Sequence, residues 1–372
     1  MNTNPFSHSG IVTGEAFCNR EKETADLAYL AAHSQNALLF SHRRMGKTSL
    51  IFNLMQVLGK KRPKIESVYI DLYGSVDEKD FIEAVFTGLA QIESKVEKLL
   101  KLASGLRFGG SVDPVSGQPS VSVTISPHDH PRYLETAMNA LCAYSQKRKL
   151  LVVFDEFQEI DTYAEKREKG FEKRLRSHIQ GHANIAYLFS GSQKHILAQM
   201  FNASDRAFYQ MAVSYPLKPI AVEHYIKWAG DIFLKNGKTD LPDDIIREIV
   251  ERCDFQPMYI QQFLFELWRI GTISAETIGQ IELNILINRE NEFMILWDSL
   301  TVNQRKALRL LAETDGENMY YSEVLQKFGL KSGSLLKRAL TSLLSREIVT
   351  KNKIYHVQDA MFRKWIQRLS GG

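Results

Sequence analysis

The chain has 372 residues, 44% of them apolar and 24% charged. At about 150 residues per domain that is two or three domains of ordinary globular composition, which excludes a disordered, collagenous or coiled-coil protein. No apolar run reaches the roughly 18 residues of a membrane span. The start, MNTNPFSHSG, has neither the basic nor the apolar region of a secretory signal. Three scattered cysteines, Cys18, Cys142 and Cys253, make neither a disulfide framework nor a zinc pattern. A cytoplasmic location with no membrane partner is therefore expected. The net charge of +4 is uneven. Residues 298–372 hold 13 Lys/Arg against 7 Asp/Glu, and residues 1–297 hold 34 against 36. A basic C-terminal module raises the prospect of an acidic partner such as nucleic acid; a merely solvated face is the alternative.

In chain order, ALLF at 37–40 reads as a short buried strand, SHRRMGKT as a loop and SLIFNLMQVL as an amphipathic helix. SVYIDLYG at 67–74 reads as a second strand and residues 80–102 as a long helix. Residues 104–131 interrupt this pattern. The runs LRFGGSV and PSVSVTI, the second alternating polar and apolar, flank a turn at 113–119, which predicts an inserted β-hairpin. His128, Asp129 and His130 lack further ligands nearby and read as loop. LVVFDE at 151–156 and IAYLFSGS at 185–192 are further strands. Strands alternating with helices predict an α/β fold with a parallel sheet covered on both faces. Beyond Pro219 strands cease, and helices are expected at 222–235, 242–253 and 259–270. Helices at 303–313, 321–328 and 334–345, two short strands around Lys351 and Lys353, and a last helix at 359–369 make a winged helix.

Ser41–Thr48 has the form GxxxxGK[ST], with serine at the first glycine position. Placed between a strand and a helix, such a loop points backbone N–H groups at phosphate, where the helix dipole also favours negative charge. Ser41, His42, Arg43, Arg44, Met45, Gly46, Lys47, Thr48 and the following Ser49 are thus the expected binding residues for ATP. Gly46 would let the backbone approach, Lys47 would reach the β- and γ-phosphates, and Thr48 would ligate Mg²⁺. Serine tolerates positive φ poorly, so Ser41 is expected to reshape the loop slightly. The run 150–156 has the Walker B form. Asp155 would hold Mg²⁺, and Glu156 would serve as general base towards the attacking water. Ser190 and Ser192, at the end of the next strand, are candidates to sense the γ-phosphate, or are simply turn residues.

These residues resemble the archaeal-type P-loop ATPases, on the AAA+/STAND side of the superfamily. FCNREKE at 17–23 is similar to that family's FxGREKE motif, FDEFQEI at 154–160 to its Walker B, and SGSQKHILAQMF at 190–201 to its sensor region. Pro257–Gln261 resembles the GxP motif of its helical lid, and Phe362–Ile366, after Tyr355 and Asp359, the end of its winged helix. The resemblance implies an αβα core at 1–219, a small helical lid at 220–297 and a winged-helix domain at 298–372. It also implies that Arg20 borders the adenine and that Pro257 packs on the nucleotide. Asn19 and Phe255 stand where the family has glycine. Arg174 and Arg176, with Arg206 weaker, are candidates for an arginine finger acting across a homo-oligomer, or are surface charges.

The functions in view are an ATPase whose cycle drives remodelling or loading on duplex DNA, and a STAND-like switch whose winged helix meets a protein partner. A DNA-binding regulator with a vestigial site is a third, opposed by Lys47, Asp155 and Glu156. Ser334, Lys337, Arg338 and Thr341 are expected on the outside of the winged helix, with Lys351 and Lys353 at the wing.

Overall fold

In the computed structural model, described for residues 4–92, 107–112, 119–124, 130–146, 148–166, 170–238, 240–351 and 353–370, the chain divides into two compact units. One is Arg20–Lys218; the other joins Met1–Asn19 to Pro219–Gly372.

The first unit begins with α1 (Glu21–Ala32), β1 (Ala37–Phe40), α2 (Lys47–Lys60), β2 (Glu66–Asp71) and α3 (Glu78–Ile92). The hairpin β3 (Arg107–Val112) and β4 (Pro119–Thr124) follows, pairing antiparallel with Arg107 opposite Thr124. Residues 93–102 of the expected long helix, and His128 and Asp129, lie outside the described residues. Next come α4 (His130–Ser145), β5 (Leu150–Asp155), a 3-10 stretch (Phe157–Lys166), α5 (Phe171–Gln180), β6 (Ile185–Gly191), α6 (Lys194–Asn202) and β7 (Val213–Pro216). The five-stranded sheet runs β2-β5-β6-β1-β7 and is parallel throughout. β5 and β6 are buried along their whole length, as strands covered on both faces must be. Phe81, Phe154, Phe157, Phe189 and Phe208 fill the layer against them. β7 was not expected. It is a four-residue edge strand whose side chains are mostly exposed and which ends in proline, so no buried alternation marks it.

Register sets the functional end of the sheet. Phe40 pairs with Gly191, Phe154 with Phe189 and Asp71 with Asp155. The C-terminal ends of β1, β2, β5 and β6 therefore lie level, where parallel α/β sheets place their ligands.

His182, beyond α5, lies with its Nδ1 2.6 Å from the Tyr187 hydroxyl. Burial, and then the neighbouring His178, push its pKa down from 6.5 to about 4. Between those values the unfolded chain holds the extra proton, so stability rises with pH across that window and this contribution is level above it. His182→Gln should flatten part of the slope, read as urea midpoints at one pH inside the window and one above it.

The second unit contains α7 (Val222–Lys235), α8 (Asp243–Arg252), α9 (Pro257–Ile270), α10 (Ala275–Asn288), α11 (Glu290–Asp298), α12 (Val302–Thr314), α13 (Ser322–Lys327), α14 (Gly333–Ser345), β8 (Val349–Lys351), β9 (Tyr355–Val357) and α15 (Ala360–Ser370). Residues 4–19 belong here and not with the sheet. The Phe6 ring lies 5.3 Å from Trp228 and 5.9 Å from Trp268, and Asn4 donates to the Phe265 carbonyl. The helical and winged-helix parts share this unit. Arg363 on α15 pairs with Asp254 and Asp315, Lys364 pairs with Glu282, and the Tyr259 hydroxyl donates to Asp359. Leu336, Leu340 and Leu343 of α14 face inward, while Ser334, Lys337, Arg338 and Thr341 are exposed, as their spacing predicts. Among the described residues no helix is long and apolar enough to cross a membrane. None of the three cysteines forms a disulfide.

Candidate functional site

The turn from β1 into α2 is built on two left-handed residues, Arg44 (φ 66°) and Gly46 (φ 81°). Ser41 is not one of them. It is buried, and its hydroxyl donates to the His42 carbonyl. Gly46 caps α2 with no side-chain acceptor, which leaves the first N–H groups of the helix for an anion. Met45 and Lys47 are buried, Arg43 is exposed, and the Ser49 carbonyl accepts from Asn53. His42 is pushed below its ordinary pKa by burial and then by Lys194, so the imidazole is neutral at neutral pH.

The two acids at the end of β5 meet this loop. The Thr48 hydroxyl donates to Asp155 Oδ2 at 3.3 Å, and the Lys47 ammonium lies 3.9 Å from Glu156 Oε1. Glu156 itself has φ 50°, a left-handed conformation that costs a non-glycine residue energy and is characteristic of functional positions. Its Oε2 accepts from the Ser192 hydroxyl at 3.1 Å, the Ser192 backbone N–H at 3.3 Å and the Gln158 amide at 2.6 Å. Ser192 is therefore brought to Glu156. Ser190 is not: it is fully buried within β6, and its hydroxyl has no hydrogen-bond partner among the described residues.

Three participants were missed in the sequence. Tyr69 donates to Asp155 Oδ2 at 2.7 Å; burial, and then Asp155 itself, raise its pKa and keep the phenol protonated. Gln158 reaches Glu156 over Gly191, where a Cβ would fall 2.0 Å from the Gln158 carbonyl oxygen. Lys194 sits 5.9 Å from the Phe40 ring, beside His42. Tyr69 was legible only as a strand residue. The FDEFQ string contained Gln158 but gave it no role.

Arg20 is 3% exposed, and its Nη1 donates to Glu23 at 2.6 Å and to the Lys218 carbonyl at 2.7 Å, while its buried Nη2 has no partner among the described residues. The unit's first residue is thereby tied close to its last, and the adenine contact expected of Arg20 stays a proposal. Pro257 is the first residue of α9, in the second unit. Arg174 pairs with the buried Glu78, Arg176 donates to the Ala207 carbonyl, and Arg206 bridges Asp161 and Glu172. All three have partners in their own chain, around α5, and a finger role across a homo-oligomer stays a proposal. Arg174→Ala leaves the Glu78 carboxylate buried without that partner. It should cost about 3 kcal/mol, the lower end for such pairs because Arg174 is partly exposed. Urea denaturation checks this. Unchanged stability with lost turnover would return Arg174 to the nucleotide.

The Walker-type ATPase PABY2304 of Pyrococcus abyssi is similar to the chain in structure, at a TM-score of 0.68 and 18% identity, covering 98% of this chain and 99% of that one. The Aeropyrum pernix ORC2 protein, in its ADPNP–ADP complexes, aligns with a TM-score of 0.56 and 15% identity over 99% and 98% of the two chains. No curated protein matches the sequence. Residues 291–368 match the family model described as a probable winged helix domain. Fold and matched segment agree: over nearly its whole length the chain shares the fold of these ATPase and ORC structures, an αβα core followed by a C-terminal winged helix.

Proposed function

We propose that the chain is a Mg²⁺-dependent ATPase whose nucleotide cycle is coupled to duplex DNA through residues 298–372. The observation that carries the enzymatic part is the meeting of Lys47 and Thr48 with Glu156 and Asp155 at the C-terminal end of the sheet. The complexes of the A. pernix protein with ADPNP and ADP support an adenine nucleotide as the ligand.

In this reading the N–H groups that open α2 and the Lys47 ammonium hold the phosphates. The Thr48 hydroxyl and the Asp155 carboxylate are two hard oxygen donors side by side. Among the described residues no group of three or more His, Cys, Asp or Glu forms a metal site. Mg²⁺ needs none, because it takes one or two protein oxygens and completes its shell with phosphate and water. When bound it would neutralise charge on the phosphate oxygens. Tyr69 orients Asp155 by its hydrogen bond. Glu156, held by Ser192 and Gln158, accepts the proton of the attacking water. The division into core, lid and winged helix is part of the same proposal, with Pro257 as the lid's contribution.

The DNA part is supported by the exposed Ser334, Lys337, Arg338 and Thr341 of α14 and by Lys351 and Lys353. The charge excess of 298–372 overstates this face, since Arg363 and Lys364 are used inside the unit. Steady-state ATP turnover with and without duplex DNA is the deciding experiment, and stimulation by DNA is expected. Duplex affinity should fall linearly in a log–log plot against salt. Replacing Lys351 and Lys353 together with glutamine should reduce that slope by about 2. Turnover indifferent to DNA, with no duplex bound at low salt, would favour a protein partner for the winged helix.

A further inference from the structure

Within the second unit, a cavity of about 380 Å³ opens between the loop joining α12 to α13 and the β8–β9 wing. Tyr320, Tyr321 and Tyr355 line it together with Asn318, Lys351 and Lys353, and among the described residues no Asp or Glu lines it. The loop is fixed in shape by left-handed backbone at Asp315, Gly316 and Asn318. A Cβ on Gly316 would fall 2.2 Å from the Tyr355 carbonyl oxygen, so the close approach of loop and wing depends on that glycine. Tyr320 packs beside Gly333, the first residue of α14, yet stays 49% exposed, and Tyr321 is 65% exposed. The Lys351 ammonium lies 4.9 Å from the Tyr355 ring centroid.

Two exposed tyrosines beside two exposed lysines form a stacking platform next to a phosphate site. The volume lies in the range of pockets that take small ligands, about 300–1,000 Å³. Sites for phosphorylated peptides are built on arginine forks, and among the described residues no arginine lines this pocket. The missing carboxylate removes repulsion of an anion. From this juxtaposition we infer that the pocket binds single-stranded nucleic acid, taking one unpaired base against the tyrosines with its flanking phosphates on Lys351 and Lys353. The inference goes beyond the duplex reading, because a base stacked within a duplex does not offer its face.

The test is fluorescence anisotropy of the full chain with four probes: a labelled oligothymidylate, an abasic oligomer of the same length and charge, a duplex, and polyglutamate. The oligothymidylate should bind roughly ten-fold or more tighter than the abasic chain at fixed salt. Tyr320→Ala with Tyr321→Ala should erase that difference while leaving abasic binding unchanged. Tyr321→Ala alone, at the more exposed position, should erase part of it and carries the test if the double variant does not fold. Lys351→Gln with Lys353→Gln should weaken both single-stranded probes and lower the salt slope by about 1.4. Equal affinity for oligothymidylate and abasic chain, or polyglutamate bound as tightly as oligothymidylate, would overturn the pocket. Duplex binding alongside equal single-stranded affinities would do so while sparing the duplex reading. Base-dependent binding without duplex binding would have the reverse meaning.

Discussion

Glu156→Gln should retain ATP and lose hydrolysis by about two to four orders of magnitude, the usual worth of a positioned base. The substitution keeps the side chain's length and leaves one oxygen to accept from Ser192. What it removes is the ability to take a proton. The surroundings of Glu156 explain why the effect should be confined to catalysis. The left-handed backbone at 156 and three hydrogen bonds to one carboxylate oxygen fix its direction, while Oε1 remains turned towards Lys47. ATP affinity measured by calorimetry should therefore change little while steady-state turnover collapses. Normal turnover in this variant would place the base elsewhere. Ser192→Ala and Gln158→Ala offer a graded comparison, because each loosens the carboxylate without removing it.

The parts of this site that could be read in the sequence are those whose chemistry is written in neighbouring residues. SHRRMGKT between an apolar strand and an amphipathic helix, and LLVVFDE with acids at its end, identify themselves by order alone. The contacts that cross the sheet do not. Tyr69 reaches Asp155 because β2 pairs with β5 in register, and Gln158 reaches Glu156 because its chain doubles back over Gly191. Charge was legible only as a count, so the sequence did not show that Arg174 lies beside Glu78 or Arg176 beside the Ala207 carbonyl. In the second unit, α10 and α11 escaped notice although Ser274 caps α10 by accepting from the Thr277 N–H. The replaced glycines show the converse. Asn19 and Phe255 have φ of 56° each, the left-handed backbone for which glycine is favoured, so the resemblance held in conformation where it failed in residue type. Asparagine adopts that conformation readily; for phenylalanine it is an outlier.

Lys47→Ala should weaken ATP binding about 10- to 100-fold. A charge-assisted contact to phosphate contributes roughly 1.5–3 kcal/mol, and each 1.4 kcal/mol is ten-fold. The side chain is 8% exposed, and its carboxylate neighbour is Glu156 at 3.9 Å. Two effects oppose each other in the variant. Loss of the ammonium removes a buried positive charge at the start of α2, and His42 cannot replace it because burial and Lys194 keep it neutral. The remaining N–H groups of the helix still attract phosphate, but a helix terminus contributes only about 0.3–1 kcal/mol. The loss should thus outweigh what remains. The deficit should resist added salt, since a buried contact is screened far less than one between exposed charges. Lys47→Arg distinguishes charge from shape. It keeps the positive charge but substitutes a planar fork for a compact ammonium, so affinity should return only in part. Calorimetric titration of all three proteins with ATP checks the order wild type, Arg, Ala. Equal affinities across the series would remove the phosphate role from Lys47 and with it the reading of this loop as an ATP site.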